Sequence, residues 1–87
     1  MDSQNFEKFR EQLDQHHAWP CVYTFKFIVP MGKEHLLKAQ FPDHIPSEKA
    51  SKNRNYTSFT YQMMMPSSQA VIDIYILASK IEGLIAL

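Results

Sequence analysis

The chain reads as an α+β two-layer sandwich, a four-stranded antiparallel sheet with two helices on one face and a further helix in front. Three observations predict it. Two runs, Pro20–Pro30 and Tyr56–Met65, alternate large apolar residues with smaller or polar ones at the period of a strand. Two other segments, 33–41 and 67–82, repeat apolar residues at helical spacing. After the leading helix the order is strand, helix, strand, strand, helix, strand. That is the split β-α-β arrangement of ferredoxin-like folds.

Each element has its own grounds. Residues 3–17 read as a helix, with Ser3 as N-cap and Phe6, Phe9 and Leu13 along one narrow side. In the first strand Tyr23, Phe25, Phe27 and Val29 share the core face, while Val22, Thr24, Lys26 and Ile28 share the other. Gly32 permits a turn into a short helix that carries Leu36, Leu37 and Phe41 inward, and Pro42 stops it. Residues 42–54 are polar and hold Pro46, Lys49, Lys52 and Arg54, so a strand there belongs at a sheet edge. Asn53-Arg54-Asn55 reads as a hairpin turn, because Asn tolerates positive φ. In the following strand Thr57, Phe59, Tyr61, Met63 and Met65 face the core.

Ser67 or Ser68 caps the last helix, whose buried stripe is Val71, Ile74, Tyr75, Ala78 and Ile81. Ile72, Ile76 and Leu77 widen its apolar surface, and Gly83 ends it after Glu82. Leu84–Leu87 is a short final strand. Residues 1–18 form an N-terminal helical extension and 19–87 the sandwich domain. The two apolar strands belong at the centre of the sheet, and the polar and the shortest strands at its edges.

At 87 residues the chain is one domain with a small core. Formal net charge is zero, which removes the electrostatic argument for nucleic acid or an anionic membrane and eases self-association. Cys21 is the only cysteine, so no intrachain disulfide is possible. The N-terminus lacks signal-peptide character and no apolar run reaches membrane-span length, so a cytoplasmic protein with no membrane contact is expected.

Trp19-Pro20 leads into Tyr23-Thr24-Phe25-Lys26-Phe27. Ser51-Lys52 is followed by Asn55-Tyr56-Thr57-Ser58, and the closing helix runs into Ile81-Glu82-Gly83-Leu84-Ile85. In these features, over residues 19–87, the chain resembles the YbeD-like family of small bacterial proteins, a family of unknown function. The resemblance implies a fold similar to the small-molecule-sensing ACT regulatory domains, and it implies no established activity. By that comparison of fold a ligand lies near the first strand–helix turn, at Met31 and Gly32.

No chemical constellation stands out. His16 and His17 are adjacent and point about 100° apart on a helix, and His35 and His44 lie elsewhere, so surface histidines are preferred to a metal site. Cys21 reads as a small apolar residue rather than a nucleophile. Lys49, Lys52 and Arg54 form the one basic cluster, either an anion site or solubilising edge charges. RNA-binding modules share this topology, but they expose aromatics on the central strands, and here those aromatics fall on the core face. A cofactor is not expected. The sequence thus points to a non-catalytic regulatory or interaction domain that binds a small ligand or a partner protein. A homodimer through the sheet edge or the C-terminal helix is the expected assembly. RNA binding through the open sheet face and the basic cluster is the alternative.

Overall fold

A computed structural model describes residues 4–87. The elements are α1 (Gln4–His16), β1 (Cys21–Pro30), α2 (Glu34–Gln40), β2 (Ser47–Ala50), β3 (Tyr56–Met65), α3 (Ser68–Ala78) and β4 (Ile85–Ala86). The expected Ser3 cap lies outside the described residues. The strands form one antiparallel sheet in the order β2-β3-β1-β4. Three helices complete an α+β architecture compatible with a ferredoxin-like sandwich.

β1 and β3 pair along their whole length, from Cys21 opposite Met65 to Pro30 opposite Tyr56. Because side chains alternate, this register sets Phe25 opposite Tyr61 and Phe27 opposite Phe59, and all four are fully buried. Each buries apolar surface worth about 2–3 kcal/mol. Val29, Met63, Leu37, Val71 and Ile72 complete the centre of the core. The opposite face stays open. Val22 and Met64 pair there with 54% and 62% of their surface exposed.

Three local expectations need correction. Leu36 does not point inward and is 41% exposed. A seven-residue helix presents one narrow stripe, and Leu37 and Phe41, four apart, fill it. α3 ends at Ala78, not Glu82. Ser79 Oγ donates to the Ile76 carbonyl, and tighter bonds from Lys80 N–H to Leu77 O and from Ile81 N–H to Ala78 O replace the α pattern. Those turns still deliver Ile81 into the core. In the β2–β3 loop the positive φ falls on Arg54, at 56°, and on neither asparagine. Arg54 N–H closes a turn onto Ser51 O, and the residue completing such a turn takes the left-handed conformation that returns the chain to the strand.

Ser67 caps α3, its hydroxyl accepting from Ala70 N–H. α1 docks on α3. Leu13 is buried, the Phe9 and Tyr75 rings lie 5.6 Å apart, and Arg10 hydrogen-bonds Gln69. With α1 and α2 both packed on it, α3 buries more than one stripe, which is why Ile72 is inside. Among the described residues no helix is long and apolar enough to cross a membrane.

Candidate functional site

The turn between β1 and α2 carries Met31 and Gly32. Its amides are engaged within the chain. Met31 N–H donates to Asn55 O, Lys33 N–H to Pro30 O, and Gly32 N–H to Glu34 Oε1 at 2.6 Å. Glu34 Oε2 accepts from the Thr57 hydroxyl at 2.9 Å. Its own backbone N–H, the Thr57 hydroxyl and the Gly32 amide hold the Glu34 carboxyl below its ordinary 4.5. A carboxylate of the chain therefore occupies the Gly32 amide of the turn.

Lys49 and Lys52 share a shallow depression of about 250 Å³ with Ile28, Ala50, Ser51 and Ser58 on the open face. Arg54 lies outside that lining. Lys26, opposite Thr60, and the 42% exposed Tyr56 stand on the same face.

Cys21 and His17 form a contact that sequence reasoning missed. Cys21 Sγ lies 3.8 Å from His17 Nδ1, and the imidazole packs beside Trp19 and Tyr23. Their separation of four positions was the available signal, but it spans a helix end and a strand start, where periodicity no longer applies. No cluster of three or more His, Cys, Asp or Glu among the described residues is arranged to hold a metal ion.

The most distinctive surface is the outer edge of β1. β4 covers it only at Phe27 and Ile28, opposite Ala86 and Ile85, with one further bond from Leu87 N–H to Lys26 O at 2.9 Å. Among the described residues, the strand from Cys21 to Phe25 pairs with β3 alone. Beside this bare edge is a cavity of about 300 Å³ lined by Phe6 and Phe9 of α1, Tyr23, Tyr75 of α3, Ala86 and Leu87. The Tyr23 and Tyr75 hydroxyls bond each other at 3.2 Å. Burial, with that bond second, pushes the Tyr75 phenol well up. Four of the six described lining residues are aromatic, and none of the six has a charged side chain. Sequence periodicity identified β1 as central but carried no information on how far β4 would run along it. Compared with protein-family models, curated proteins and solved structures, the chain matches none.

Proposed function

We propose that the chain is a non-catalytic interaction domain, ferredoxin-like and ACT-like in shape, that holds a partner protein or small ligand. The strand order and the resemblance of residues 19–87 to YbeD-like proteins support the shape. One observation carries the function: among the described residues, a central-type apolar strand is left bare over half its outer edge, next to an aromatic cavity. Bare edges are templates for pairing, and proteins blunt them with charge or proline when pairing is not wanted. β2 is blunted in that way, by Glu48 and Lys49 and the preceding Pro46, whereas the Cys21–Phe25 stretch of β1, though preceded by Pro20, carries no charge.

A small ligand at Met31 and Gly32 belongs to the same proposal by comparison of fold. With Glu34 on the Gly32 amide, a neutral or cationic ligand suits that turn better than an anionic one. Self-association belongs to it too, since zero net charge leaves little long-range repulsion. Sedimentation reads that arm, and a strict monomer at high concentration rejects the dimer.

Photo-crosslinking in cells tests the proposal. Benzoylphenylalanine is placed singly at Thr24, Lys49 and Ile76, one each on the β1 edge, β2 and α3. Protein adducts are expected, strongest at Thr24. No adduct from any of the three positions rejects a protein-interaction role.

RNA binding has one observation in its favour, the grouping of Lys26, Lys49 and Tyr56 on the open face. The rings that would stack bases on the central strands are fully buried. Fluorescence anisotropy with mixed-sequence RNA at low salt decides, and no binding there removes this second reading.

A further inference from the structure

The bare edge of β1 has a direction and a floor, and together they define its occupant. Leu87 N–H donates to Lys26 O, so Lys26 turns its main-chain groups outward. In an antiparallel ladder this alternates, so Thr24 and Val22 also point theirs outward, while Tyr23 and Phe25 point theirs to β3. Among the described residues no strand lies beyond Val22 and Thr24. Beneath that position runs α1. It packs on α3, and its Phe6 and Phe9 share a cavity with Tyr23 and with Ala86 and Leu87 of the β4 segment. The helix layer therefore extends past β1 on the β4 side, whereas the sheet above it stops short.

We infer that this slot takes one extended peptide segment of a partner protein, added antiparallel to β1 in continuation of β4. Its main chain pairs with Val22 and Thr24, and a large apolar side chain opposite Tyr23 enters the Phe6–Phe9–Tyr75 cavity. This rests on the interaction-domain proposal and names the partner's chemistry. Alternation fixes the rest of the segment. Residues opposite Val22 and Thr24 lie on the open face and need no apolar character. Among the described residues no charged side chain lines the cavity, so a neutral inserted residue suits it.

A folded second copy does not fit the slot. Pairing two β1 strands brings them about 4.8 Å apart. Each strand carries α3 beneath it and α1 beside that helix. Since α1 also floors the slot, such a pairing would bring the two α1 helices toward one another, and packed helices need about 8–10 Å between axes. A segment without a helix layer of its own meets no such obstacle.

The test uses the full chain and a short capped peptide that alternates valine and threonine around a central phenylalanine. Two further versions carry N-methyl groups on one or the other alternate set of amides. A third has the same composition with its apolar residues clustered. Amide NMR titration of the chain is expected to show shifts at Val22, Thr24, Phe9 and Tyr23. One methylated set is expected to abolish binding and the other to spare it, and the clustered peptide not to bind. Thr24→Pro removes an outward N–H and no bond to β3, so the sheet survives while affinity falls roughly tenfold or more. Phe9→Ala is a second variant that empties part of the floor and weakens binding without touching the edge. Equal binding by both methylated sets, shifts confined to the open face at Met64 and Gln62, or no binding at millimolar peptide overturns the strand-addition inference. Photo-adducts at Thr24, Lys49 or Ile76 would in that case leave the broader interaction role standing. A second copy in those adducts assigns self-association to another surface.

Discussion

Replacing Tyr61 with Phe removes a hydroxyl that is buried without a hydrogen-bond partner among the described protein groups. Desolvation, and after it the nearby Glu48 charge, raises the phenol's pKa, so it stays neutral and carries only its cost. Tyr61→Phe is therefore expected to stabilise the fold by about 1 kcal/mol. A lower urea midpoint for the variant would show that the hydroxyl is paired after all. Glu34 works the other way. Its carboxyl titrates below 4.5 in the folded chain and near 4.5 when unfolded. The stability it adds is therefore fully present above about 4.5 and is lost as pH falls through the lower folded value. Glu34→Gln removes that part. The Tm difference between wild type and variant should be largest near neutral pH and shrink below about pH 4.5. A constant difference across that range would show that the carboxylate charge contributes nothing.

Among the elements, those with the longest uninterrupted period were the most legible. β1 and β3 were readable to within a residue, because ten positions of alternation leave no competing pattern. The end of α3 was not, since Ile81 continues a helical spacing that the backbone satisfies with tighter turns. Arg54 was missed for a similar reason. Intrinsic preference favours Asn at positive φ, but position in the loop decided which residue took it. Of the candidate site residues, Lys49 and Lys52 line one depression and Arg54 is not among its lining residues. The bare edge was invisible, because a strand's length on one side says nothing of its neighbour's. The two glycines give an element-level prediction. Both hold positive φ, but a Cβ on Gly83 would meet the Pro30 ring at 2.8 Å, and one on Gly32 meets nothing within 4 Å. Gly32→Ala should cost only the backbone strain of about 1–2 kcal/mol. Gly83→Ala should cost measurably more, because it also pushes the β4 segment off β1. Equal urea midpoints would sink that distinction.

For the whole molecule, the β1–β3 ladder sets the order of folding. Its partners are far apart in the chain: Pro30 and Tyr56 close a loop of 26 positions, Cys21 and Met65 one of 44. Closing the shorter loop first is favoured by about 0.5 kcal/mol of chain entropy. The ladder should therefore nucleate at Val29 and Thr57 and zip toward Cys21 and Met65. Stopped-flow chevrons on Val29→Ala and Met63→Ala test this. The first should mainly slow folding and the second mainly speed unfolding, and equal effects on both arms would refute the polarity. The stretch of β1 that zips last is the one bare on its outer side. The transition state would then leave the Cys21–Phe25 end open while the Pro30 end is already closed, and a segment docking there would hold the zipper shut and slow unfolding more than it speeds folding.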